Sequence, residues 1–259
     1  MLVDTHCHIH ESDYPLDKNE VIERASQVGV KQVICVGTDT NDSRLAVELA
    51  GKHREVFASI GVHPHYADKG LDEFVKFVKS VETNKKIVAI GEIGLDYHYQ
   101  NEPSHNDQIK ILKQQIELAL DYDLPIIFHV REAYDDFWKV LDEFKDNDRQ
   151  IRGVLHSFTD NIENLNEGLE RGFYISINGI STFTHDHAQK EMFDSIPLGK
   201  LLLETDAPSL TPYPLRGKIK ENEPAFVREI AEFTGKTRHV SVEEIADITT
   251  SNAHRLFDI

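Results

Sequence analysis

The sequence predicts an α/β fold, a single (β/α)8 barrel of the TIM type spanning residues 1–259. Three observations predict it. Eight short apolar runs with β-branched centres recur along the chain and read as strands buried on both faces. Longer amphipathic stretches separate them, the alternation that a parallel sheet with crossover helices requires. Finally, 259 residues pass without a Gly/Ser/Pro-rich linker, a composition break or an internal repeat, a length close to the ~250 residues of a closed eightfold barrel. A doubly wound open sheet is the structural alternative.

Taken in order, the first expected strand is Leu2–His8, and the second is Gln32–Thr38, around Val33-Ile34-Cys35-Val36. Val56–Pro64 and Ile87–Asp96 follow, then Pro125–Val130 around Ile126-Ile127-Phe128. Gly153–Phe158, Phe173–Gly179 and Leu201–Asp206 complete the set. Between them lie helical patterns at Leu71–Val81, Asn106–Leu120 and Glu163–Leu169. In the second of these, Ile109, Leu112, Ile116 and Leu120 recur at spacings of three and four, with charges on the other face. A long loop is expected over Pro208–Pro224, followed by a helical tail.

Composition narrows the function. Twenty-eight Lys+Arg against 45 Asp+Glu leave a net charge of −17, which argues against a broad basic groove that grips nucleic acid through many phosphates. A local site where metal ions supply the positive charge stays open. Two cysteines, Cys7 and Cys35, are too few for a secreted disulfide scaffold. No apolar run approaches the ~20 residues that span a bilayer, and the first residues carry no basic segment leading into an apolar one. A cytoplasmic location is expected, with no membrane and no protein partner implied.

Several of the 14 histidines stand where an expected strand ends. His6 and His8 close the first strand two residues apart, so both point to one face of it. His63 closes the third, Glu92 lies near the end of the fourth, His129 ends the fifth, His156 the sixth and Asp206 the eighth. In a barrel those ends converge on one mouth, where such enzymes place catalytic groups. Four imidazoles (His6, His8, His129, His156) and two carboxylates (Glu92, Asp206) exceed what one four-coordinate ion needs and suit two ions. Glu92 is the candidate bridge between them. Water held by such a pair loses a proton near neutral pH, and the ions neutralise charge on a phosphoryl group. His10, His53, His105, His185, His187, His239 and His254 are expected to be solvated, and Cys7 and Cys35 to be core. No dinucleotide fingerprint, phosphate-binding Gly-Lys-Ser/Thr loop or Gly-x-Ser-x-Gly elbow occurs. Arg216-Gly217-Lys218-Ile219-Lys220, in the loop after the eighth strand, is a basic cluster that reads as solvated, with a phosphate contact at Arg216 as the alternative.

Together these segments resemble the TatD family of metal-dependent deoxyribonucleases, within the wider amidohydrolase-like metal barrels. The resemblance covers essentially the whole chain. Asp4-Thr5-His6-Cys7-His8 is similar to the family's Asp-x-His-x-His motif, and Gly61-Val62-His63-Pro64-His65 to its third-strand motif, which places His63 in the substrate pocket. Gly91-Glu92-Ile93-Gly94-Leu95-Asp96-Tyr97 resembles the segment whose Glu binds metal, and the run ending His129-Val130-Arg131-Glu132-Ala133 the one with a metal histidine. His156-Ser157-Phe158 stands where the family has His-Cys-Phe-Ser-Gly, departing at Ser157 and Asp160. Glu204-Thr205-Asp206-Ala207-Pro208 is similar to Glu-Thr-Asp-x-Pro, and Arg216-Gly217-Lys218 followed by Asn222-Glu223-Pro224 to Arg-Gly-Lys-x-Asn-x-Pro with about two extra residues.

The resemblance implies hydrolysis of DNA phosphodiesters, stepwise from the 3′ end of single strands, with two divalent metal ions (Mg, Mn or Zn) as cofactors. His6, His8 and Asp206 are then assigned to one ion, His129 and His156 to the other, and Glu92 to both. Asp206 also accepts the proton of the attacking water, His63 and Arg216 hold the phosphate, and Asp96 and Tyr97 line the pocket. A terminal nucleotide held by two ions needs few Lys/Arg contacts, which reconciles DNA as partner with an acidic chain. A small-molecule amidohydrolase or phosphotriesterase-like enzyme is the rival on the same barrel. Many of those bridge two metals through a modified lysine on the fourth strand, whereas Lys85 and Lys86 here precede that strand. A non-catalytic metal-binding protein is the remaining alternative.

Overall fold

The computed structural model of the chain describes residues 1–99, 103–145 and 149–259. All eight expected strands form: β1 (Leu2–Cys7), β2 (Val30–Val36), β3 (Val56–Ile60), β4 (Ile87–Asp96), β5 (Ile126–Arg131), β6 (Gly153–Leu155), β7 (Tyr174–Ile177) and β8 (Leu201–Leu203). They lie side by side in chain order, each parallel to the next. The ring closes where β8 meets β1. Asp206 N donates to the His6 carbonyl at 2.9 Å, and His8 N donates to the Ala207 carbonyl at 2.7 Å. The open sheet is thereby excluded, and the chain is a (β/α)8 barrel.

The helices of the outer ring are α1 (Lys18–Gln27), α2 (Thr40–Lys52), α3 (Asp72–Val81), α4 (His105–Asp121), α5 (Tyr134–Asp142), α6 (Ile162–Glu170), α7 (Ile180–Phe183) and α8 (His187–Ser195). The expected tail is α9 (Val227–Arg238) and α10 (Val242–Phe257). Six start at an Asp, Ser or Asn (Asp17, Asp39, Ser104, Asn161, Asp186, Ser241) whose side chain accepts backbone N–H groups of the first turn. No helix among the described residues is long and apolar enough to cross a membrane.

Two apolar layers hold the barrel. The larger joins the outer faces of the strands to the helices, with Phe74, Leu112, Ile116, Phe137 and Leu165 fully buried in it. The smaller brings together Val3, Ile34, Ile127, Val154 and Leu202, residues of strands from both sides of the ring. Leu256 and Phe257 of α10 join this inner cluster and plug the end where the strands begin. The opposite end, where strands finish, is left to polar side chains.

Several strands are shorter than expected, and in three of them the shortening moves a candidate site residue off the strand end. Ladder pairing stops at Ile60, Leu155 and Leu203, so His63, His156 and Asp206 stand on the turns just beyond. The backbone changes course there: Ser157 and Asp206 adopt left-handed φ values of 47° and 56°. Non-glycine residues held this way cluster at functional sites. Glycine is needed where β4 runs against β5, because a Cβ on Gly94 would collide with the His129 carbonyl oxygen.

Candidate metal centre

Two groups of donors converge at the mouth of the barrel. In the first, His6 Nε2 and His8 Nε2 approach to 3.1 Å, and Asp206 Oδ1 stands 3.8 and 3.5 Å from them. Glu92 Oε2 closes this group at 3.5 Å from His6 Nε2 and 4.0 Å from His8 Nε2. In the second, Glu92 Oε1 lies 2.7 Å from His129 Nδ1, 2.8 Å from His156 Nε2 and 3.6 Å from His63 Nε2. The two oxygens of one carboxylate therefore face two different clusters of imidazole nitrogens.

The far side of each ring decides which nitrogen is offered. His8 Nδ1 donates to the Val36 carbonyl at 2.8 Å, leaving Nε2 as the lone-pair atom. His129 Nε2 donates to Asp96 Oδ2 at 2.9 Å, leaving Nδ1. His156 Nδ1 stands 3.3 Å from Glu204 Oε1 but out of hydrogen-bond alignment, and that oxygen accepts the Ser157 N–H at 2.7 Å. Ligand histidines are commonly held this way, by a carboxylate or carbonyl on the other ring nitrogen. Asp4 fixes the seam between the two sides of the site. Wholly buried, it accepts the Thr205 N–H at 2.8 Å and the Thr205 hydroxyl at 2.6 Å, next to Asp206.

Electrostatics follow from burial and close opposite charge. Burial opposes ionisation of Glu92, yet His156, His63 and His129 outweigh it and hold the carboxylate well below its usual range. Burial likewise opposes charge on Asp206 and His8, but their mutual contact sets them at about 2 and about 10. For His129, Asp96 and Glu92 overcome burial and raise the imidazole. Burial dominates at His63, reinforced by His129, and pushes it well below its ordinary value.

The donor set fits divalent cations. Anionic oxygens and imidazole nitrogens converge in two buried groups; the second ring nitrogens of His8 and His129 are engaged elsewhere, while His6 Nδ1 and His156 Nδ1 are buried with no hydrogen-bond partner among the described residues. His6, His8 and Asp206 form one ligand group, and Glu92 and His129 another with His63. His6 also groups with His156 and Glu204, a carboxylate that the sequence reading left without a role.

Not every expected residue faces the centre. Asp96 stands behind His129: it is 1% exposed and accepts from His129 Nε2, from His65 Nε2 at 3.1 Å and from the His98 N–H at 3.0 Å. It backs the His129 and His65 rings rather than lining an open pocket. Tyr97, the next residue, points the other way, as strand alternation demands. Its hydroxyl donates to Asp136 Oδ2 at 3.2 Å and its ring stacks on His105 at 3.5 Å. Arg216 is exposed on the loop after β8, its guanidinium 3.8 Å above the Phe183 ring. His10, expected in solvent, is 1% exposed, with Nε2 3.0 Å from Asp42 Oδ1 but out of hydrogen-bond alignment. His254, also expected in solvent, is half-buried and contacts Gln32 Oε1 at 2.7 Å.

Other supporting residues escaped the sequence reading. Gln108 and Gln115, two turns apart on α4, are both fully buried. Gln108 accepts the Asp96 N–H at 2.8 Å and donates to the Asp96 carbonyl at 3.0 Å. Gln115 does the same for Val62, beside His63, at 2.8 and 3.0 Å. Their spacing of seven, on the helix face that also buries Ile111 and Ala119, was the available signal. Asn222 ties down the loop after β8, donating to the Thr205 carbonyl at 2.8 Å and to the Ser209 carbonyl at 2.5 Å.

A (β/α)8 barrel whose mouth gathers imidazoles and carboxylates around shared centres is the architecture of a metal-dependent hydrolase. A family model described as TatD related DNase matches residues 3–258. The chain is 40% identical over 259 residues to the metal-dependent hydrolase YabD of Bacillus subtilis, with 100% of both chains covered. It is 30% identical over 262 residues to the 3'-5' ssDNA/RNA exonuclease TatD of Salmonella typhimurium, covering 100% of this chain and 99% of that one. Its fold is similar to the crystal structure of the TatD homologue YjjV from Escherichia coli, with a TM-score of 0.89, 28% identity and coverage of 100% and 98%. The chain belongs to the TatD family of metal-dependent hydrolases.

Proposed function

We propose that this hydrolase is a nuclease that cleaves phosphodiester bonds of single-stranded DNA stepwise from the 3′ end. The observation that carries the reading is Glu92, whose two oxygens serve two separate groups of histidines, with Asp206 completing the first. His6, His8 and Asp206 would hold one divalent ion and His129 and His156 the other, with Glu92 common to both. Bound there, two such ions supply an activated water and offset charge on a phosphoryl group. Asp206, 3.8 and 3.5 Å from His6 Nε2 and His8 Nε2, is the carboxylate placed to accept the proton of the attacking water. His63, kept neutral by burial, offers the phosphoryl oxygen a hydrogen bond without adding charge. Arg216, exposed on the loop after β8, reaches a phosphate from the rim. The name of the Salmonella relative supports the substrate class and direction. Two free, buried thiols agree with a reducing, cytoplasmic setting.

The test is 5′-labelled single-stranded DNA incubated with Mg, with Mn and with EDTA, resolved at single-nucleotide resolution. A ladder that shortens from the 3′ end only when metal is present is expected. Intact DNA under every metal, with protein shown to be folded, would overturn the reading in favour of a small-molecule hydrolase.

A further inference from the structure

A run of ring contacts leads out of the metal centre. His63 meets His129 edge to face at 4.4 Å and His65 at 4.3 Å, and His65 meets Tyr99 at 5.6 Å. Tyr99, three residues past Asp96, ends the run and remains 49% exposed. It is nonetheless held in place. His98 packs against it at 4.8 Å and is itself anchored by Glu132 at 2.6 Å. The Arg131 guanidinium, on the last residue of β5, lies 5.3 Å from the ring centre, with Nη1 donating to the Tyr99 hydroxyl at 3.5 Å. An aromatic face and a guanidinium thus stand together on the rim, three ring contacts from His129, on a chain of net charge −17.

We infer that Tyr99 and Arg131 form a subsite for the nucleobase next to the scissile phosphate, the base stacking on Tyr99 and the flanking phosphate pairing with Arg131. The inference rests on the nuclease reading and adds to it a base contact. Stacking suits such a task because every base has a π-face, so a strand can be held whatever its sequence. Arg131 supplies locally the positive charge that the chain lacks overall.

The test uses single-stranded oligonucleotides with 2-aminopurine at the last or the penultimate position. Terminal phosphorothioate linkages slow hydrolysis during binding, in the presence of Mn, and cleavage is followed separately on ordinary DNA. The wild-type protein should quench 2-aminopurine at one of the two positions. Tyr99→Ala should lose the quench and raise KM between about 5- and 150-fold, the range for one stacked base, with kcat changed far less. Tyr99→Phe should restore both. Arg131→Gln should reduce the slope of log KM against log salt by about 0.7, one phosphate contact on a single strand. Absence of quenching at both positions, or an unchanged KM in Tyr99→Ala, would overturn the subsite. The two readings fail separately: cleavage without quenching removes the subsite alone, whereas quenching without cleavage removes the nuclease activity and leaves the subsite.

Discussion

Asp96→Asn separates two roles for one residue. The side chain touches His129 Nε2 at 2.9 Å and His65 Nε2 at 3.1 Å, and is 1% exposed. Asparagine keeps its shape but removes the charge that favours the Nε2–H form of His129, the form that leaves Nδ1 free beside Glu92. Losing such an outer partner typically weakens metal binding 10- to 100-fold, or about 1.4–2.7 kcal/mol. His6 and His8 are untouched, so one class of site should weaken and the other hold. Calorimetric titration of metal-free protein with Mn or Zn would resolve the two classes, and initial rates would give KM. A loss of affinity in one class, with KM unchanged at saturating metal, is expected. Unchanged metal binding with a raised KM would refute the argument and return Asp96 to the substrate pocket.

Gln108→Leu and Gln115→Leu should each strand a buried backbone N–H and carbonyl, destabilising the protein by about 2–4 kcal/mol and lowering Tm by roughly 4–16 °C in thermal melts. Gly94→Ala forces a Cβ against the His129 carbonyl; a cost of about 1–3 kcal/mol is expected, and elemental analysis should find less metal per chain. Metal binding at about pH 7.5 should release a proton from His8, because its nitrogen must be deprotonated to ligate and it titrates at about 10 without metal. Calorimetry in buffers of different ionisation heat checks this, and no release would contradict it. In the metal-free protein, the raised His8 adds stability that is complete below its unfolded value near 6.5 and lost as pH rises towards about 10. The depressed Asp206 adds stability that is complete above its unfolded value near 3.8 and lost as pH falls towards about 2. Urea unfolding of metal-free protein should therefore show this pair contributing most between about pH 4 and 6.5.

What the sequence by itself determined is local. Apolar runs and their spacing located all eight strands, because burial on both faces leaves a continuous β-branched signature. Once the barrel was inferred, its geometry put His6, His8, Glu92, His129, His156 and Asp206 at one mouth, since parallel strands all finish at the same end. Tertiary structure decided the rest. Alternation shows that Asp96 and Tyr97 face opposite ways but not which one faces inward; pairing of β4 with β5 set that, sending Tyr97 to Asp136. His10 was indistinguishable from a solvated loop histidine until α2 brought Asp42 against it. Gln108 and Gln115 resembled surface residues of an amphipathic helix, because the strand-end backbone they clamp comes from distant sequence. A side chain's type is written in the chain, but its burial and the atom it meets depend on elements folded against it from elsewhere.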